Sequence, residues 1–431
     1  MSAFPTSPPP DLESKAFVLP EPINMALSGG TRLKFVRNEQ APMIILRVIV
    51  RSAAEHCAEP FGLAAAVARL IASGTSGKSS FEIADEANRY GGGVSASASS
   101  DYAVLSISCL SAYLDPMMKL AGEVLSNSNY PENEVEIDRA NLIQRLRAQR
   151  AEPGFLAAEK YAQAAYPGHP YSMVSPSEED VLQWTAEQMR EARQALFRSG
   201  ASNAIIVAVG DAEPENLKAA IERHWSNWLA STTEPEDFIQ PMLPNESGEI
   251  WVQRPRSAQC NLRIGCRAPT RTDDEFTPLN IATVVLGGSA SSRLFLNVRE
   301  DLGYAYHVGA RLSTRLKAGS MIVEAETAQE NVRHAIQEIH REINRMANDG
   351  PTEQELSTIK AYMTGQLAMR WITQGGIADT LLVSEAFGLP DDYWQTQPER
   401  IRQTTAEQAR QAFANRLDLD RLITVGVGES L

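Results

Sequence analysis

Of 431 residues, six are histidine and four are cysteine. No two histidines stand four apart, none of the cysteines (Cys57, Cys109, Cys260, Cys266) forms a CxxC pair, and no GxSxG run occurs. A helical two-histidine zinc site and a hydrolase nucleophile elbow are therefore excluded. His56 beside Cys57 is too little for a metal site, and the bland reading of all six histidines is surface or turn. The cysteines sit in apolar, strand-like surroundings and read as buried reduced thiols, which fits a reducing compartment. Positive charge is also short: 40 Lys and Arg against 54 Asp and Glu, a net −14. That argues against nucleic acid, whose phosphates need basic stripes, and leaves peptides as acceptable partners. No run of 18 apolar residues is present, so no membrane span is expected. The start, MSAFPTSPPPDLES, lacks the basic and apolar regions of a signal peptide. A cytoplasmic location is expected; a periplasmic one requires that a signal has been removed.

What is present is ordinary globular composition, 43% hydrophobic and 22% charged, over a length that suits two domains. Residues 1–20 are Pro- and Ser-rich and read as a flexible arm. Thr31–Arg37 and Met43–Arg51, β-branched and joined by a polar turn, read as a hairpin. Gly62–Thr75, GLAAAVARLIASGT, reads as a buried helix over 62–73 ending in a Gly-Thr turn, with a capped helix after it stopped at Gly91-Gly92-Gly93. Strands follow at 94–100 and 102–109, then helices near 111–127, 132–149 and 154–166. Asn203–Asp211 is a buried strand. Residues 229–248, acidic and proline-rich without period, read as an interdomain linker.

The second half repeats the first. Thr185-Ala-Glu-Gln recurs 220 residues later as Thr405-Ala-Glu-Gln, and the strand from Ala204 recurs 218 residues later from Leu422. Gly74 and Gly287 close corresponding helices 213 residues apart. Nearly one offset at three anchors is the mark of a duplicated domain. The expectation is an α+β fold of two tandem homologous domains, 21–228 and 249–431. Each is a mainly antiparallel sheet with helices packed on one face, the two facing each other like a clam shell.

The order of features resembles the pitrilysin and mitochondrial processing peptidase family, the inverted zincins. The resemblance runs from about residue 25 to the C-terminus. It rests on Gly62-Leu-Ala, Gly74-Thr75, Ser80-Phe-Glu-Ile, Tyr90-Gly-Gly-Gly, the Ser/Ala run to Asp101-Tyr102, His169-Pro-Tyr and Val209-Gly-Asp. Most specific is Leu286-Gly-Gly-Ser-Ala-Ser-Ser-Arg-Leu-Phe-Leu-Asn-Val-Arg-Glu-Asp-Leu-Gly-Tyr-Ala-Tyr. Active members carry His-x-x-Glu-His on the first core helix. Histidines at i and i+4 share one face and one zinc, with the Glu as general base. Anchored on Gly74-Thr75, those positions are Ala65, Ala68 and Arg69, and the position of the family's third ligand, a Glu, is Arg145. No Glu occurs from Ile137 to Ala151. Arg69 and Arg145 are expected as neighbours, both solvated at the cleft wall, with an acid or solvent between them.

The resemblance further implies roles for an Arg and a Tyr of the C-terminal half, here Arg299 and Tyr306, as donors to the substrate backbone and to a developing oxyanion. From periodicity alone they are a helix-end and a strand residue. The family's glycine-rich substrate loop is short here, at Gly287-Gly288-Ser-Ala-Ser-Ser, and its role is not carried over. The reading is a non-catalytic subunit of a heteromeric zinc metalloendopeptidase. It binds no cofactor itself and pairs as a heterodimer with a homologous HxxEH subunit that supplies the zinc. The alternative is a purely structural scaffold in a larger complex. An enzyme sufficient alone ranks last.

Overall fold

The structure, a computed structural model, describes residues 19–51, 60–199, 204–230, 241 and 248–429. The arm over 1–20 and the linker over 229–248 lie for the most part outside these residues. So do His56 and Cys57. Leu19, at the end of the arm, is buried.

Eleven strands form two sheets. The first holds β1 (Ile23–Ala26), β2 (Arg32–Arg37), β3 (Met43–Val50), β4 (Gly93–Ala98), β5 (Ala103–Leu110) and β6 (Ala204–Gly210). The second holds β7 (Gly248–Gln253), β8 (Gln259–Ala268), β9 (Ala305–Thr314), β10 (Gly319–Ala328) and β11 (Ile423–Gly428). Their orders are β1-β2-β6-β3-β5-β4 and β7-β11-β8-β10-β9. With β1 set aside the two are the same. In each, the first strand runs parallel to the last and every other pairing is antiparallel.

The hairpin expected between Thr31–Arg37 and Met43–Arg51 does not form. β6 inserts between β2 and β3, pairing with both. All seven residues of β6 are buried, so it needs a partner along each edge. A strand from the far end of the domain thus overrides local adjacency. The connection from Arg37 to Met43 bends around its end, with the Asn38 N–H donating to the Gly210 carbonyl at 2.9 Å.

Each half lays its own helices on one face of its sheet. Val67 and Ala68 of Leu63–Arg69, Met117 and Leu120 of Leu114–Asn127, and Met189 of Ala186–Leu196 pack on Phe35, Leu46, Val48 and Ile206. Helices Phe276–Gly287, Val332–Asp349 and Ala406–Arg416 do the same for the second sheet. The opposite faces are covered reciprocally. Helix Gln374–Phe387 of the second half lies on Val36, Ile49, Val207 and Val209 of the first sheet. Helix Pro153–Ala165 of the first half lies on Ile322, Ile423, Val425 and Val427 of the second.

The halves therefore face each other through packed surfaces. Each fully buried aliphatic side chain there contributes about 1.5–3 kcal/mol. Polar bonds join the same surfaces. Lys34 reaches Asp391 at 2.7 Å and also pairs with the buried Glu385. On the other side Tyr166 and Ser320 share a hydroxyl bond at 2.7 Å.

Candidate functional site

The first core helix is shorter than expected, Leu63–Arg69. It starts from Gly62, whose φ of 82° is left-handed and whose missing side chain leaves room for Pro176 and Trp184. Leu63, Ala64, Ala66, Val67 and Ala68 are buried. Ala65 and Arg69 are exposed, one turn apart on one face. That face of the helix presents a methyl group and a guanidinium.

Arg69 is held by an acid the sequence reading did not single out. Its Nε donates to Asp138 Oδ1 at 2.7 Å and its Nη2 to Oδ2 at 2.5 Å. Asp138 stands on helix Glu132–Ala151, the helix that carries Arg145. Arg145 lies two turns further along, exposed, with no hydrogen bond or ion pair among the described residues. Arg69 is therefore neutralised rather than solvated; Arg145 is solvated as expected. Zinc does not fit this site. It needs three or four N, S or O donors. Ala65 and Ala68 offer none, Arg69 is a cation, and both Asp138 oxygens are engaged. Among the described residues no three His, Cys, Asp or Glu side chains are grouped as a metal would require.

In the second half, Ser292-Arg293-Leu294 leads into a wide π-helical turn, Phe295–Asp301. Arg293 fixes its start. Nε and Nη2 clamp both oxygens of Glu355 at 2.7 and 2.8 Å, and Nη2 also reaches the Gly350 carbonyl at 2.6 Å. Within the turn Asn297 donates to Glu342 at 2.9 Å and to Glu338 at 3.1 Å. Such turns insert a residue and redirect a side chain. Arg299 lies in this turn. Its guanidinium lies 4.7 Å from the ring centre of Phe295 and 5.8 Å from that of Tyr306. Its ion pair is weak, Nε to Glu300 at 3.5 Å. Tyr306 is 73% exposed on β9, which among the described residues pairs with β10 alone and ends the sheet. The structure thus brings Arg299 and Tyr306 together.

Cys109, Cys260 and Cys266 are buried, and burial pushes their thiols up to about 12, 11 and 12. They are inert at neutral pH. His169 is a turn histidine: it is buried at the start of the turn Pro170–Ser172, and its Nδ1 accepts the Tyr171 N–H at 3.1 Å. His340 is half-buried, and burial holds its pKa below the ordinary value of 6.5.

A cavity of about 490 Å³ opens between the halves beside Ala65. Tyr102 and Met173 line it from the first half, Arg271 and Phe387 from the second. No helix of the described residues is long and apolar enough to cross a membrane.

Comparison with known proteins gives one answer. The family model described as "Insulinase (Peptidase family M16)" matches residues 39–174, and that described as "Peptidase M16 inactive domain" matches residues 183–363. An "Uncharacterized zinc protease YmxG" of Bacillus subtilis is 22% identical over 79% of this chain and 82% of its own. A "Probable inactive metalloprotease YmfF" of the same organism is 25% identical over 57% of this chain and 56% of its own. Among solved structures, a peptidase M16 inactive domain from Pseudomonas fluorescens superposes with a TM-score of 0.88 at 22% identity, covering 95% of this chain and 98% of that one. The periplasmic protease PqqL of Escherichia coli superposes at 0.81 and 18% identity, over 99% of this chain and 48% of that one. With both halves matched, the chain belongs to the pitrilysin-like M16 peptidase family, as a non-catalytic member.

Proposed function

We propose that this chain is the non-catalytic subunit of a heteromeric zinc metalloendopeptidase, facing a homologous HxxEH subunit across a shared chamber. One observation carries the reading. A half-buried Arg299 stands beside an exposed Tyr306 on the end strand of the second sheet. A scaffold has no use for such a pair. A guanidinium and a phenol are both donors, suited to the carbonyl oxygens of an extended peptide. A peptide added along β9 gains main-chain hydrogen bonds whatever its sequence. The two donors then position its backbone and meet negative charge as it develops on the scissile carbonyl. Zinc and the general base belong to the partner.

The test is the native mass of the complex captured from the protein's own cells, with zinc counted in the same spectrum. One copy of this chain, one copy of a different HxxEH chain and one zinc are expected. A metal-free homodimer, or a large assembly without an HxxEH chain, contradicts the proposal and favours a scaffold.

A further inference from the structure

The cavity between the halves holds a cation that no described residue neutralises. Arg271, from the connection after β8, sits among three rings, with its guanidinium carbon 4.9 Å from the centre of Phe276, 5.8 Å from Trp394 and 6.0 Å from Phe387. It makes no hydrogen bond or ion pair with any described residue, and its Nε is sealed from solvent without an acceptor. Rings fix a guanidinium without cancelling its charge. A cation so held retains its full capacity for an oxyanion.

The other polar groups of the cavity divide in two. Most are already paired. Asp101 accepts the Tyr171 hydroxyl on Oδ1 and the Leu316 N–H at 3.0 Å on Oδ2. Arg315 donates to the Tyr171 carbonyl at 3.1 Å and to Ser100 at 3.4 Å. Ser175 is tied to Glu159 at 2.7 Å. The exceptions are the hydroxyls of Tyr102 and Thr314, which have no hydrogen bond among the described residues. Burial first, then Asp101, pushes this phenol above its ordinary value of 10.0, so it remains a donor. Arg271 and Arg315 against Asp101 leave the cavity net positive. The rest of its wall is apolar: Phe61, Ala65, Met173, Val174, Val383 and Phe387.

We propose that this cavity binds a small amphipathic carboxylate, with the acid group on Arg271 and Tyr102 and the apolar body against Phe61, Val383 and Phe387. A peptide's free C-terminus and an arylalkanoic acid share that chemistry, and the volume accepts either. The site uses residues of this chain alone. It therefore stands or falls separately from the proposed pairing with a zinc subunit.

The experiment is calorimetric titration of the full chain with N-acetyl-Ala-Ala-Phe and with 3-phenylpropionate, each against its primary amide. A free acid is expected to bind at least about tenfold more tightly than its amide, since a bond to a charged group is lost. Arg271→Met, which keeps the packing length, is expected to abolish that preference, and Tyr102→Phe to reduce it about threefold. Melting curves confirm that both variants fold. Binding of the peptide acid alone assigns a peptide terminus; binding of the aryl acid alone assigns a small metabolite. Equal affinity for acid and amide, no acid binding at millimolar concentration, or an acid affinity unchanged in folded Arg271→Met overturns the proposal.

Discussion

Arg69 and Asp138 form a two-bonded clamp, Nε to Oδ1 at 2.7 Å and Nη2 to Oδ2 at 2.5 Å. In a zinc-binding relative the face presented by Arg69 would carry a histidine. Here the replacement brings its own counter-ion, on the helix that carries Arg145. The degenerate site is a settled ion pair, and reversing it requires more than one substitution.

A double-mutant cycle measures the clamp. The Arg69 side chain is 34% exposed and that of Asp138 11%, so a coupling of about 1 kcal/mol is expected. Arg69→Met combined with Asp138→Leu should cost less in urea unfolding than the two singles together. Zero coupling contradicts the account of a neutralised site.

Ala68, the position to which the resemblance assigns the general base, is 0% exposed. Ala68→Glu buries an unpaired carboxylate and should lower unfolding stability by about 2–4 kcal/mol. The fourfold replacement Ala65→His, Ala68→Glu, Arg69→His, Arg145→Glu should hold no stoichiometric zinc by elemental analysis after desalting. One tightly held zinc per chain contradicts this.

Glu355 gives the fold an acid dependence. Burial alone would raise its pKa. Hydrogen bonds from Arg293 and the Thr352 N–H outweigh that and bring it from 4.5 down to about 2. A depressed folded value means that the stability is fully present above pH 4.5 and is lost as pH falls toward 2. The amount is on the order of 3 kcal/mol. Urea unfolding from pH 5 downward should show this slope, and Glu355→Gln should flatten it. An unchanged slope in the variant contradicts the assignment.

Glu385 tests the clasp between halves. It is 5% exposed, pairs with Lys34 and Arg32, and its backbone carbonyl accepts from Arg51. Glu385→Ala leaves the buried Lys34 with Asp391 alone and should cost about 1–3 kcal/mol in denaturant unfolding. A loss under about 1 kcal/mol means that apolar packing alone holds the halves.

Legibility in the sequence followed sequence distance. The duplication was readable because its repeats are literal, from Thr185 to Thr405 and from Ala204 to Leu422, and the sheets share one strand order. The hairpin was misread because the pairing of β2 and β3 is decided by β6, and no local turn signal reports a strand that arrives later. Asp138 was passed over because the search followed ligand spacing, whereas an ion pair needs only to share a helix face. A cleft between the halves was expected, but its lining was not legible, because Tyr102 and Arg271 lie in different halves. Arg299 and Tyr306 emerged from the resemblance, since periodicity alone reads them as ordinary helix-end and strand residues.

The most direct test of the shared chamber is kcat/KM of the purified complex with its HxxEH partner, comparing wild type with Arg299→Ala and Tyr306→Phe. Each variant should assemble at unchanged mass and zinc content and lose about 10- to 1000-fold in kcat/KM, most of it in kcat, as removal of a donor to developing charge does. Unchanged kcat/KM in both variants contradicts the central claim and leaves the chain a structural partner of its complex.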